Sequence, residues 1–429
     1  MSDSETHHAI EAVWRIESAR VIAGLARMVR DVGLAEELAQ DALLTALEKW
    51  PEAGVPDNPG AWLTAVAKRK AIDQWRRSER FQERQGEVAR DLEERQERGV
   101  TDLDAGLDDP VGDDLLGLMF MSCHPVLSTE ARVALTLRLL GGLATPEIAR
   151  AFLVPEATIA QRIVRAKRTL TESRVPFEVP RGPELKQRLP SVLEVIYLVF
   201  NEGYAATAGD DLLRPDLCEE ALRLGRIVAE LLPGESEVHG LVALMEIQAS
   251  RLKARVGPTG DPILLLDQDR ARWDYLLVGR GFAALERARS LSGPLGPYGL
   301  QAAIAACHAA AGTPGETDWS RIAALYDALA EAAPSPVVEL NRAVALGMAF
   351  GPEVGLELVD ELMEEPALKY YHLLFGVRAD LLAKLGRHAE ANIEFRRAAD
   401  LTQNARERTL LLNRAAGSAA ALEAPRQSS

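Results

Sequence analysis

The 429-residue chain carries 49 Lys and Arg against 64 Asp and Glu, a formal net charge of −15, and 47% of its residues are hydrophobic. A chain this long exceeds one helical core, so two or three domains are expected; the mixed composition excludes disorder throughout, and the acidic balance excludes indiscriminate binding to nucleic acid. The start, Met1-Ser2-Asp3-Ser4-Glu5, lacks the pattern of a signal peptide and no apolar run approaches a membrane span, so a cytoplasmic protein without membrane contact is expected.

Apolar residues recur at three- and four-residue spacing along most of the chain, as in Val21, Leu25, Met28, Val32 and in Leu38, Ala42, Leu43, Leu47. Alternating strand-like runs are scarce, and the fold class read from this pattern is all-α. The first helical block, residues 1–80, is interrupted by Pro51, Pro56 and Pro59, which predict a loop over 51–58. Asn58 before Pro59 has the form of an N-cap followed by an N1 proline, so a helix should begin there and carry Trp62, Val66 and Lys70 along one stripe. From Lys68 to Arg80 that block holds six basic residues against two acidic ones.

Residues 81–112 lack apolar periodicity, and from Ser78 to Asp114 thirteen acids stand against five arginines, as in a solvated linker. A second block, 113–178, predicts helices near 115–122 and 128–140. A tighter pair follows, Thr145 to Phe152 and Glu156 to about Thr171, parted at Leu153-Val154-Pro155. A proline-rich junction from Pro176 to Pro190 leads into a long helical region, 186–429. There Leu340-Asn341-Arg342-Ala343 and Gly376-Val377-Arg378-Ala379 are offset by 36 positions, each followed by a glycine turn, Gly351 and Gly386. That is close to the period of stacked tetratricopeptide-type hairpins.

The three cysteines, Cys123, Cys218 and Cys307, are scattered and unpaired in sequence, and they read as packing residues rather than a disulfide framework or zinc site. Glu202, Asp210 with Asp211, and Asp267 with Asp269 gather carboxylates without a nucleophile, phosphate loop or histidine cluster, and read as helix caps and arginine partners. No catalytic residue, metal or cofactor is expected, and the chain does not read as an enzyme.

Two segments carry the chemistry of nucleic-acid binding. In 145–168 a helix, a turn and a second helix place Thr158, Gln161, Arg162 and Arg165 on one exposed face, with Lys167 nearby, while Ile148, Ala149, Ile159, Ile163 and Ala166 point inward. Such a helix fits a major groove, where Arg pairs with guanine edges, Gln with adenine, and Thr and Lys with phosphates or thymine methyls. From Trp62 to Arg77, cations are interleaved with Trp62 and Trp75, which suits a strand drawn out of a duplex.

In this order, joined by an acidic linker, the segments resemble regions 2 and 4 of the extracytoplasmic-function class of sigma-70 factors. The resemblance is carried by Leu38-Ala39-Gln40-Asp41-Ala42-Leu43, by Asn58-Pro59-Gly60-Ala61-Trp62-Leu63 through Asp73-Gln74-Trp75-Arg76-Arg77, and by Leu143-Ala144-Thr145-Pro146-Glu147-Ile148-Ala149 through Arg165-Ala166-Lys167. It implies that Leu34 to Trp50, with Leu38, Asp41, Ala42 and Leu43, grips the clamp helices of the β′ subunit of core RNA polymerase, and that region 4 meets the β flap. It implies that Asn58, Trp62, Lys68, Arg69, Arg76 and Arg77 face the promoter −10 element, and that Thr158, Gln161, Arg162, Arg165 and Lys167 read the −35 element. Arg69 stands where many relatives carry Asn. The C-terminal half, through Tyr197-Leu198-Val199-Phe200-Asn201-Glu202-Gly203-Tyr204, Leu265-Leu266-Asp267-Gln268-Asp269-Arg270 and neighbouring stretches, resembles the tetratricopeptide-like helical extension of one subgroup of these factors. That surface would suit a protein partner or the chain's own N-terminal domains.

Two other readings compete on the residues alone. An operator-binding regulator would use only 145–168, with the C-terminal half as its sensor, and leaves Leu34 to Arg77 without a purpose. A helical scaffold without a DNA role draws on the acidic net charge.

Overall fold

The computed structural model describes residues 3–85, 111–152, 154–206, 208–291 and 293–423, so most of the acidic linker lies outside the described residues. The chain divides into two compact units, 1–196 and 197–429. Among the described residues it is all-α apart from one parallel pair of two-residue strands, β1 (Ala208–Gly209) and β2 (Gln403–Asn404). Among the described residues no helix is long and apolar enough to cross a membrane.

The first unit opens with α1 (Asp3–Val29), α2 (Val32–Ala53) and α3 (Pro59–Gln85). Their shared core is built from Ile22, Leu25, Leu38, Trp50 and Leu63 with Ala35, Ala39, Ala42, Ala46 and Ala67, whose small side chains let the helix axes approach closely. Pro51 lies inside the last turn of α2 rather than in the loop expected over 51–58. The helix stops three residues later at Gly54, whose positive φ of 83° and N–H bond to the Trp50 carbonyl close the end. Asn58 caps α3 as expected, its side-chain oxygen accepting from Ala61 N at 3.0 Å.

The helices α4 (Val111–Ser122), α5 (Thr129–Leu139), α6 (Thr145–Ala151) and α7 (Glu156–Glu172) enclose a second apolar centre of Met119, Phe120, Leu135, Leu137, Ile148 and Ile163. The next helix, α8 (Pro183–Tyr204), runs through Pro190, so the proline-rich junction ends earlier than expected. Pro190 is exposed, which lets the carbonyl one turn back face water, while Leu189, Val192, Leu193 and Ile196 bury the opposite face. Arg188 donates to the Phe120 carbonyl at 2.9 Å and Ser191 to that of Cys123 at 2.6 Å, tying α8 to the end of α4.

The second unit continues with α9 (Pro215–Leu231), α10 (Ser236–Ala249), α11 (Tyr275–Ser290), α12 (Pro297–Ala310), α13 (Trp319–Ala332), α14 (Pro336–Phe350), α15 (Pro352–Leu362), α16 (His372–Lys384), α17 (His388–Leu401) and α18 (Ala405–Glu423). From α12 onward each helix packs on the next as a run of hairpins. The offset segments occupy α14 and α16, and Gly351 and Gly386 turn with φ of 115° and 73°, where an L side chain would be strained. Inside the first of these hairpins Gly355 sits against α14 so closely that a Cβ would lie 2.7 Å from the Ala343 carbonyl. The 36-residue period also sets Arg342, Arg378 and Arg414, which pair with Asp327, Asp360 and Asp380 of earlier helices.

Asn404, 0% exposed, donates to the carbonyls of Ala206 and Asp211, each at 3.1 Å, and Arg406 reaches Asp210 O and the Asp261 carboxylate. With the β1–β2 pair, these bonds join the last hairpin of the unit to its first segment. The cysteines are packing residues: Cys123 and Cys218 are enclosed and burial pushes their thiols up to about 11 and about 12. Of the acids read as caps and partners, Glu202 pairs with Arg214 and Asp269 accepts from Ala271 N, while Asp210 and Asp211 are engaged through their backbone carbonyls.

Candidate nucleic-acid interface

The start of α3 sets the first face. Asn58 is exposed while it caps the helix, and Trp62 one turn on is half-buried, its ring edge-on to Trp50 with centroids 5.3 Å apart. Trp62 is held by the core yet keeps one side open, the arrangement a stacking platform needs. Further along, Arg69 and Arg76 are exposed and Lys68 is half-buried. Lys70 turns back, its ammonium donating to the Asp41 carbonyl at 2.9 Å and lying 3.7 Å from the Asp41 carboxylate. The side chains of Arg77 and Trp75 lie outside the described residues.

The second face is α7. Ile159, Ile163, Ala166 and Leu170 are buried along one stripe. Gln161 and Arg165 are exposed on the opposite side, and Thr158 and Arg162 are half-buried beside them. The helix begins at Glu156 without a side-chain cap, directly after Pro155, and the preceding helix α6 is fastened by the Glu147 carboxylate accepting from Ala144 N at 2.7 Å. The expected helix–turn–helix is therefore present, with its inward residues Ile148, Ala149, Ile159, Ile163 and Ala166 all buried.

Lys167 departs from the expected arrangement. Its ammonium pairs with Glu36 of α2 rather than standing on the open face. Glu36 also accepts from Arg138 Nε of α5 at 2.6 Å and from Gln40 at 2.7 Å, and Thr171 donates to Asp31 at 3.3 Å. One enclosed carboxylate thus joins α2 to α5 and α7. Sequence reasoning passed over Glu36, although an acid four residues after Val32 and three before Ala39, within the buried stripe of α2, marks a charge that needs a partner.

Of the residues expected to meet polymerase, Leu38 and Ala42 are 3% and 0% exposed and belong to the three-helix core, because the apolar stripe of α2 is the one that packs on α1 and α3. Asp41 is exposed and Leu43 half-buried. Leu44, absent from the expected set, is 57% exposed, and with Trp14, Gln40, Leu43, Arg138 and Glu147 it borders a cleft of about 820 Å³. Leu38 and Leu44 are six positions apart on α2 and so point to different faces of it, one into the core and one to solvent.

The chain matches the family described as Sigma-70 region 2 over residues 15–81 and Sigma-70 region 4 over 117–170. A family of unknown function, DUF6596, matches 188–289. The chain is 43% identical over 390 residues, 90% of each protein, to the uncharacterized protein R00370 of Rhizobium meliloti (strain 1021). It is 28% identical over 173 residues to the probable ECF RNA polymerase sigma factor SigI of Mycobacterium tuberculosis, which covers 40% of this chain and 58% of that protein. No solved structure matches the chain. With α1 to α3 in the place of region 2, α4 to α7 in the place of region 4 and a helical region following them, the chain belongs to the sigma-70 family as an extracytoplasmic-function sigma factor with a C-terminal helical extension.

Proposed function

We propose that this sigma factor binds core RNA polymerase through α2, reads and opens the −10 element with the 54–58 loop and α3, and reads the −35 element with α7. The division of α7 into a buried aliphatic stripe and an open face bearing Gln161 and Arg165 carries the reading, since one rigid helix then presents base-reading groups to a groove. On α3, Trp62 and Asn58 would hold an unstacked base while Arg69, Arg76, Lys68 and Arg77 track phosphates. On α2, Asp41 and Leu43, joined by Leu44, would contact the β′ clamp helices, with Leu38 and Ala42 shaping the helix from beneath. Lys167 would reach DNA only after parting from Glu36. The extension, residues 197–429, would set transcription output through a partner protein or through the chain's own N-terminal domains, and the protein would act in the cytoplasm.

Reconstituted transcription with purified core polymerase tests the reading. Promoter protection is expected only with core enzyme present. Protection by the protein alone, or failure to bind core polymerase at low salt, overturns it. For the extension, transcription by residues 1–196 should differ from that by the full chain at a promoter both recognise, and equal output at several promoters rejects a regulatory role.

A further inference from the structure

The 25 residues between α10 and α11 form no α-helix, only short 3-10 turns and an isolated bridge between Val256 and Pro262. Irregular connections of this length inside a compact domain are where binding groups are commonly held. This one supplies Arg251, Arg255, Arg270 and Trp273. The Arg255 guanidinium lies 3.7 Å from the Tyr204 ring centroid, and Arg251 lies 6.0 Å from the same ring and 5.8 Å from that of Trp273. Arg270 lies 4.9 Å from Trp273. Three guanidinium groups thus alternate with two aromatic rings.

Elsewhere in this unit enclosed charges are matched: Arg214 with Glu202, Arg226 with Glu246, Arg378 with Asp360 and Glu394. Arg251 and Arg270, 7% and 8% exposed, have no carboxylate within ion-pair distance among the described residues, and neither has Arg255. Arg270 donates through Nη1 to the carbonyls of His308 and Ala311, but its Nε and Nη2 are enclosed without an acceptor. The Nε atoms of Arg251 and Arg255 and the Trp273 indole N–H are enclosed in the same way. Glu316 and Glu407, which interact with Arg270 and Arg255 at longer range, are already engaged, Glu316 by the N–H groups of Gly312 and Thr313, and Glu407 by His372 and Thr402.

The surroundings are electropositive by two further signs. Burial, followed by the charges of Arg251 and Arg270, holds the His308 imidazole down at about 4. Burial and the charge of Arg251 also lower Arg270 from the usual guanidinium range. Withdrawing a charge from water is costly, and stacking on an aromatic face offsets only part of that cost while leaving the guanidinium N–H donors unpaired. Three such groups with open donors therefore call for an anion.

We infer that Arg251, Arg255 and Arg270, with the Trp273 N–H, form a binding site in the extension for a small molecule bearing a carboxylate or phosphoryl group. Planar guanidinium forks and an indole donor match the oxygens of either group. Arg255 is only half-buried, so the ligand enters at its end of the cluster, and the enclosure at Arg251 and Arg270 selects a small molecule over an extended polymer. The inference uses residues of the extension alone and stands whether or not the extension acts on transcription.

Calorimetric titration of the full chain with inorganic phosphate and with succinate, against sodium chloride at matched ionic strength, tests it. At least one oxyanion should bind saturably and raise the melting temperature. Preference for phosphate assigns a phosphoryl ligand, and preference for succinate a carboxylate. In Arg251→Gln binding should weaken by about ten-fold or more, the loss of one charge-assisted bond. Should that variant fail to fold by circular dichroism, Arg255→Gln at the half-buried end provides the same reading. No saturable response to either oxyanion, or undiminished binding in the folded variant, overturns the inference.

Discussion

Glu36 binds three helices together with one side chain, and its removal would strand Arg138 and Lys167. Glu36→Ala is expected to destabilise the first unit by about 2 kcal/mol in urea denaturation, below the range for fully buried pairs because both cations keep some exposure. His308 gives a second test at this scale. Its imidazole, edge-on to Trp319 and facing Arg251 and Arg270, takes a proton only near pH 4 in the folded chain, whereas an unfolded histidine does so near 6.5. The unfolded state thus binds more protons between these values, so this contribution is complete above pH 6.5 and lost as pH falls toward 4. By pH 5 the loss amounts to about 2 kcal/mol, and His308→Asn should flatten that part of the stability profile. His308 carried no such signal in the sequence, and Glu36 carried only that of an acid within an apolar stripe, without its partners. Periodicity places a side chain on a stripe but does not say which cation from a distant helix will meet it, nor which leucine of α2, Leu38 or Leu44, the core takes up.

At the scale of the element, α7 separates the two jobs its residues perform. Ile163→Ala should cost about 2–4 kcal/mol of stability by opening a cavity in the region 4 core. Gln161→Ala and Arg165→Ala should leave the melting temperature unchanged and weaken promoter binding with polymerase by about 1–3 kcal/mol each, losing discrimination at one base position apiece. Footprint titrations on matched and single-base-substituted promoters would separate these outcomes. Helices with strong local signals were readable in advance: the Asn58-Pro59 start of α3, the break before Glu156 and the glycine turns at 351 and 386 all stand where sequence placed them. Prolines misled, since Pro51 and Pro190 lie inside helices whose far faces are buried well enough to offset the missing N–H bond.

For the whole molecule, the sequence displayed the repeat period but not that the unit's ends meet, because Asn404 and Ala206 are 198 positions apart and no local pattern links them. An open row of hairpins unzips from its termini, each unit leaning only on its neighbours. Here Asn404 fastens the outermost described hairpin to the opening segment, so unravelling of that hairpin must first break these bonds. Hydrogen exchange along α18 should therefore be as slow as in the middle of the row, with one calorimetric transition for 197–429. Asn404→Ala should cost about 2 kcal/mol through the lost bonds and the orphaned carbonyls of Ala206 and Asp211. It should also bring graded exchange from the C-terminal side. The extension would then behave as a hoop that answers as one body to whatever touches it, rather than as a chain of independent links.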